Sequence, residues 1–238
     1  MPYRETSAIL RLLTRDLGVT SAVARGARRA KARTGPRLDL FTAGDATLFV
    51  KPHRDLHTLI AFEATATHSS LGADVTRFAA GSALVELALK CAPAEPMTGV
   101  FESVSAGLSA IEHAPDELAE TVALLAIWGL VVALGFAPSL ERCVVCGAPV
   151  DGGVAFSPEQ GGALCSAHRR GERTANLKEG DVAALAALVG GRLPEALDGR
   201  HAAAHRRLLV GFVRRHLAEH RALPALAFWD AEAWSVSP

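Results

Sequence analysis

The sequence predicts an α+β fold: a small β-barrel at the N-terminus, an α-helical domain after it, and a cysteine-bearing insert among the helices. Three observations carry this. Apolar runs ahead of residue 70 are short and broken by turn residues; from Asp74 the apolar period becomes helical; and three of the four cysteines fall between Cys143 and Cys165. With 238 residues, half of them apolar and 21% charged, the chain is long enough to bury a core. It is too apolar for a disordered polymer and too poor in cysteine for a disulfide-stapled miniprotein.

The barrel prediction rests on four runs. Ser7–Thr14, Val19–Arg25, Leu38–Val50 with a break at Gly44, and Leu56–Thr65 are separated by Asp16/Gly18, Gly35/Pro36 and Pro52/His53, which is turn chemistry. Short strands at this spacing, in a segment too small for a sandwich, favour an OB-fold. The domain is expected over residues 1–70. Residues 71–238 form the helical domain, with helices at Asp74–Cys91, Pro96–Glu112, Pro115–Gly135, Glu179–Gly190 and Gly199–His220. Pro115 suits a first helical turn, and Asp116 and Glu117 face the positive end of that helix's dipole. An aromatic tail with Phe228, Trp229 and Trp234 closes the chain.

The opening MPYRETSAIL has a charge pair where a signal peptide needs its apolar core, so export is not expected. The uncharged run Thr121–Leu140 contains Gly129, Gly135 and Pro138 and is flanked by Glu120 and Glu141. Its apolar part falls short of the roughly 20 residues a membrane helix needs, and it reads as a buried core helix. The expected setting is the cytosol, with no membrane partner.

The 25 basic and 25 acidic side chains cancel, which at first argues against a polyanion partner. They are not evenly mixed. Residues 1–80 carry twelve basic and seven acidic groups, residues 81–142 two and eight, and residues 143–238 eleven and ten. The densest stretch, Arg25–Arg37, holds Arg25, Arg28, Arg29, Lys31, Arg33 and Arg37 with no acid, and glycines at 26 and 35 let backbone approach phosphate. A run of charge is ordinarily a solvated loop. Its density and its place between barrel strands favour DNA. A second row, Arg200, Arg207, Arg214 and Arg221, recurs every seven residues and would line one stripe of a helix, drifting only about 20° per step. It reads either as a solvated face or as a second DNA track, with Leu208, Leu209, Phe212, Val213 and Leu217 packing on the other side.

Cys143, Cys146, Cys165 and His168 form C-x2-C-x18-C-x2-H, the spacing of a zinc-ribbon site. Each pair closes a tight knuckle, and four protein ligands leave no open position, so a structural zinc is expected. Gly147 suits the knuckle turn, and Gly152-Gly153 and Gly161-Gly162 suit a hairpin between the halves. The competing readings are a knuckle without metal and a redox pair. The second would want a helix N-terminus after Cys143, where Gly147, Ala148 and Pro149 stand instead. Cys91, alone on a helix, reads as a buried apolar residue. His201/His205 and His216/His220 are i,i+4 pairs lacking an evident third ligand.

Several enzyme classes drop out. No histidine is followed two residues later by glutamate, as a zinc base deaminase requires, and no H-E-x-x-H occurs. None of the four lysines (Lys31, Lys51, Lys90, Lys178) follows a glycine, so the chain has no phosphate-binding P-loop.

Tyr3-Arg4-Glu5-Thr6, the T-R-D-x-G turn at Thr14–Gly18 and Ala24–Arg29 resemble the N-terminal domain of the RecO recombination-mediator family. The two knuckles match that family's zinc-bearing insert, and Arg206–Leu209 with the Arg221-to-Phe228 tail resemble its C-terminal end. The resemblance implies an OB-fold, a helical body and zinc on Cys143, Cys146, Cys165 and His168, with the basic loop at Arg25–Arg37. It further implies binding of single- and double-stranded DNA, annealing of complementary strands, partnership with RecR and the single-stranded-DNA-binding protein SSB, and indirect action on RecA. Members carry an extra strand ahead of the Tyr3 region, so either the chain's true start lies upstream or the barrel lacks an edge strand.

Two other classes stay in view. A metal-dependent nucleic-acid-processing enzyme would need clustered carboxylates near the basic segment, where Asp39, Asp45, Asp55 and Glu63 are scattered. A zinc-ribbon interaction module would ignore DNA altogether.

Overall fold

The computed structural model describes residues 2–3, 7–25, 38–51, 53–170, 174–218 and 220–231. Five strands come first: β1 (Pro2–Tyr3), β2 (Ser7–Thr14), β3 (Gly18–Ala24), β4 (Ala43–Phe49) and β5 (Leu56–Ala66). Their order across the sheet is β1-β2-β3-β5-β4. All neighbours are antiparallel except β3 and β5, which run parallel. Inserting β5 between β3 and β4 is Greek-key connectivity in a five-stranded sheet, the architecture of the expected small barrel. Pro2–Tyr3 supplies a two-residue edge strand beside β2.

Alternation sorts the faces. Leu10, Leu12, Ala22, Ala24, Leu48 and Leu59 gather inside, while Arg11 and Leu13 face out toward the helices. The tight β2–β3 turn ends at Gly18, whose φ of 62° is left-handed; the Thr14 hydroxyl accepts from Leu17 N–H and donates to Gly18 O. Two strand bounds differ from expectation. Residues 38–42 are not strand, because Phe41 adopts a φ of 64° and buries its ring edge-on against Phe78, 5.6 Å away. Gly44 does not break β4: it sits at a bulge where the register slips between Ala43 and Gly44.

The helical body follows: α1 (Val75–Cys91), α2 (Thr98–His113), α3 (Ala119–Ala133), α4 (Glu179–Val189), α5 (Gly199–His216) and α6 (Pro224–Ala231). Asp74 caps α1 by accepting from Arg77 N–H, and Asp198 caps α5 by accepting from His201 N–H. Pro115 stands ahead of a 3₁₀ turn, Asp116–Leu118, and not in the first turn of α3. α3 is the buried helix foreseen, with Leu124, Ile127, Trp128, Leu130 and Val131 fully enclosed. No helix of the described residues is long and apolar enough to cross a membrane.

Between α3 and α4 lies the insert, a three-stranded sheet of order β7-β6-β8. Its strands are β6 (Val154–Ser157), β7 (Gly162–Leu164) and β8 (Ala175–Leu177). The hairpin turn runs through Pro158–Gly161, and its Pro158 carbonyl accepts from His216 Nε2 of α5 at 2.7 Å. Cys91 is half-buried at the end of α1, and burial pushes its thiol up.

The barrel docks on the body through its outer face. Arg11 Nε donates to Leu89 O, the Arg15 guanidinium lies 5.2 Å from the Phe101 ring centroid, and Phe41 meets Phe78. At Gly18 the approach is closest: a Cβ there would lie 2.3 Å from Ala94 O and 2.7 Å from Glu95 O. The connection between the two parts is tied down too. His68 Nδ1 and Glu112 Oε2 lie 2.5 Å apart, and Arg77 donates to the Ile111, Glu112 and Ala114 carbonyls and to Asp116.

Candidate metal centre and nucleic-acid interface

The two knuckles are built by short backbone hydrogen bonds. Gly147 N–H donates to Cys143 O, Cys143 N–H to Ala148 O, and His168 and Arg169 N–H both to Cys165 O. Gly147 has a φ of 72°, the left-handed turn its position asked for. β6 and β7 bring the knuckles together. The donor atoms of Cys143, Cys146, Cys165 and His168 all lie within 4.8 Å of one another. Cys146 Sγ and Cys165 Sγ are 3.8 Å apart, and His168 Nδ1 is 3.2 Å from Cys165 Sγ and 3.7 Å from Cys143 Sγ.

Those distances suit a zinc ion. Tetrahedral zinc with Zn–S near 2.3 Å sets its sulfur ligands about 3.8 Å apart. Three thiols and one imidazole are also the donor set that a soft, closed site takes. Electrostatics agree. The backbone N–H of Cys165, with those of Cys146 and Val145, pulls the buried Cys143 thiol down to about 6. Cys165 is lowered by its hydrogen bond with His168, which is raised in return. Cys146 is shifted up: the Ala148 N–H lowers it, but burial and its hydrogen bonds with Cys143 and Cys165 outweigh that. Among the described residues these four are the only group of three or more Cys, His or carboxylate donors close enough to hold a metal ion.

The histidine pairs on α5 have other uses. His201 Nδ1 bonds Asp198, while His205 is buried with Asp181 Oδ1 4.0 Å away. His216 bonds Pro158 and stacks on Phe212. His220 lies beyond the helix and is exposed.

Of the basic segment, Arg25 is exposed at the end of β3; Arg28, Arg29, Lys31, Arg33 and Arg37 lie outside the described residues. In the arginine row, Arg200, Arg207 and Arg214 are exposed along α5, and Arg214 lies 3.8 Å from Asp230. Arg221 is exposed but off the helix, since α5 ends at His216 rather than His220. The row is therefore three residues on one helix plus one beyond it.

Sequence reasoning missed a buried network that holds α6. Arg206, only 2% exposed, bonds Glu120 Oε1 at 2.8 Å and lies over the Trp229 ring. Glu86 Oε2 accepts from the N–H groups of Ala225 and Leu226, capping α6 from a different helix, and Lys90 Nζ donates to Ala222 O. One signal was available: Ala202, Arg206, Leu209 and Val213 fall on one helical face, so Arg206 sits within an inward stripe.

A Greek-key five-stranded sheet joined to a helical body, with a Cys3His knuckle set between helices, defines an OB-type protein whose insert gathers four donors that could hold a metal ion. Residues 1–68 match the family described as Recombination protein O N terminal, and residues 72–224 match Recombination protein O C terminal. A DNA repair protein RecO of Anaeromyxobacter sp. (strain K) is 34% identical over 238 residues, covering 96% of this chain and 91% of its own length. Those of Nocardioides sp. (37% over 195 residues; 79% and 77% covered) and Bifidobacterium adolescentis (34% over 208; 84% and 81%) are similar as well. The chain belongs to the RecO family.

Proposed function

We propose that this chain is a non-enzymatic DNA-binding and strand-annealing protein of DNA repair and recombination, working in the bacterial cytoplasm at the nucleoid. Its partners would be single- and double-stranded DNA, RecR and SSB, and through them RecA, which it would help to load on SSB-coated single strands. Residues 1–70 would be the DNA-binding unit and 71–238 the helical unit.

One observation carries the reading. The β3–β4 connection of a sheet with OB strand order contains the six cations Arg25, Arg28, Arg29, Lys31, Arg33 and Arg37 and no acid before Asp39. Family membership and relatives named DNA repair proteins support it. Annealing needs no covalent chemistry. Two phosphate backbones must be neutralised while base edges stay free to pair. Arg200, Arg207 and Arg214, exposed along α5, would form a second track for phosphate. Cys143, Cys146, Cys165 and His168 would hold zinc; when bound, zinc cross-links the two knuckles and supplies folding energy, without an open position for reaction.

The test is annealing of SSB-coated complementary strands by the full chain and by its Arg28→Ala/Arg29→Ala form. Loss of annealing with the fold intact is expected, with a shallower dependence of affinity on salt by about 0.7 per phosphate contact removed on a single strand. Unchanged annealing, or cleavage of the DNA in Mg²⁺ or Mn²⁺, overturns the reading. Elemental analysis should find one zinc per chain; folded, metal-free protein would remove the zinc assignment.

A further inference from the structure

The usual working surface of an OB-type sheet is the outer face of its second and third strands. In this chain that face is already used. Arg11 and Leu13 of β2 pack against the helical body, and the β2–β3 turn presses on it through Arg15 and Gly18. The outer face still open is that of β5 and β4. We propose that it receives the bases of single-stranded DNA, on Phe49 and Ile60, with Arg25 holding the adjoining phosphate. This rests on the DNA-binding reading above and names where the bases go.

Register brings the three residues together. Phe49 pairs with Thr58, which pairs in turn with Val23; Leu59 pairs with Ala24, so Ile60 follows beside Arg25. Leu48, Leu59 and Ala24 fill the barrel interior, which turns Phe49, Ile60 and Arg25 to the outside. Ile60 protrudes further because the pairing passes from Thr47↔Ala61 to Leu48↔Leu59 and leaves it as the extra residue of a bulge. Phe49 and Ile60 are each 60% exposed, the most of the large apolar side chains described.

A single exposed apolar residue is ordinary. Here two lie on adjacent strands as diagonal neighbours, Ile60 two residues along β5 from Phe49's partner Thr58, a spacing of about 7–8 Å that large side chains reach across, beside the end of β3 where the six-cation connection begins. The next loop brings exposed His53 and Arg54 after Lys51. Farther along the same face, Asp45 and Glu63 are register partners and both exposed. They would repel phosphate and confine a strand to the Phe49 end. An aromatic ring and an aliphatic neighbour flanked by cations is the composition that stacks bases without reading them. A duplex, with its base faces already stacked, cannot use it.

The experiment compares the full-length chain with its Phe49→Ser/Ile60→Ser and Phe49→Trp forms. Anisotropy is measured on an oligothymidylate and on a duplex of equal length across a range of salt. The double substitution should weaken single-strand binding about tenfold or more and duplex binding less than twofold. The slope against salt should stay the same, because no cation is removed. Phe49→Trp should retain binding and lose indole fluorescence when the single strand is added. Equal losses on both DNAs, or no loss on the single strand, overturn the proposal. Absence of any DNA binding by the unsubstituted chain overturns the parent reading instead.

Discussion

The two halves of the molecule are held together by different means. The barrel interior is thin: its fully buried members are Ala22, Ala24 and Leu59, with Leu10, Leu12, Leu38, Leu48 and Phe62 partly covering them. The helical body encloses Trp128, Trp229, Phe156 and a continuous set of leucines. Burial contributes roughly 25 cal/mol per Å² of apolar surface, so three small or medium side chains cannot match two tryptophans and their neighbours. The barrel's stability therefore depends on the contacts it makes with the body, at Arg11, Arg15, Gly18 and Phe41.

The largest effect should come from the body. Trp229 is fully buried on α6 under Arg206, and Trp229→Ala should cost about 3–5 kcal/mol, seen as a lower urea midpoint for the whole chain. Leu59→Ala, the matching change in the barrel, should leave the body's transition in place and lower only that of the sheet. If both variants shifted one common transition equally, the contrast between the halves would fail.

An intermediate effect is expected at the seam. Gly18 combines a left-handed φ with carbonyls that a Cβ would strike, so Gly18→Ala costs about 1–2 kcal/mol in backbone conformation alone and must also move the hairpin off Ala94 and Glu95. The barrel should then melt before the body. All three tryptophans (Trp128, Trp229, Trp234) lie in the C-terminal part, and no tryptophan precedes residue 128. Tryptophan fluorescence thus follows the body, whereas far-UV circular dichroism follows both. In the Gly18→Ala form the two curves should separate; coincident curves would show that the close approach at Gly18 is not what holds the halves to one transition.

What was legible in the sequence was local. The strand Ser7–Thr14, the helix beginning near Asp74, the buried helix around Trp128 and the knuckle spacing at Cys143–His168 depend on neighbours within a few residues or on a fixed motif. The misses are of another kind. β8 is three residues long, too short for a period to show, and becomes a strand only because β6 offers it an edge. α6 has its first N–H groups capped by Glu86, about 140 residues earlier, and its tryptophan received by Arg206. Arg221 belonged to the heptad row by spacing, but the helix stops at His216 and spacing carries no stop signal there. The pairing of two exposed apolar residues was invisible because Phe49 and Ile60 are eleven positions apart in the chain and meet only through the β4–β5 register.

The smallest effect separates the halves by pH. His205 lies in the body, 2% exposed, with neither ring nitrogen hydrogen-bonded among the described residues. Burial lowers its pKa; Asp181 at 4.0 Å opposes that and His201 adds to it. A histidine lowered on folding is neutral in the native state, whereas the unfolded chain takes up a proton near pH 6.5. The unfolded state thus binds more protons below that pH, and stability present above it is lost as pH falls toward the native pKa. Glu112, at the seam, is also lowered, by hydrogen bonds from Ser70 and His68, but a carboxylate's window lies lower, near pH 4. Between pH 7.5 and 5.5 the body should lose stability through His205 while the seam carboxylate stays ionised. His205→Leu should flatten that slope in urea titrations followed by tryptophan fluorescence, and the knuckle thiols, common to both forms, cancel in the comparison. An unchanged slope would place the pH response elsewhere in the body.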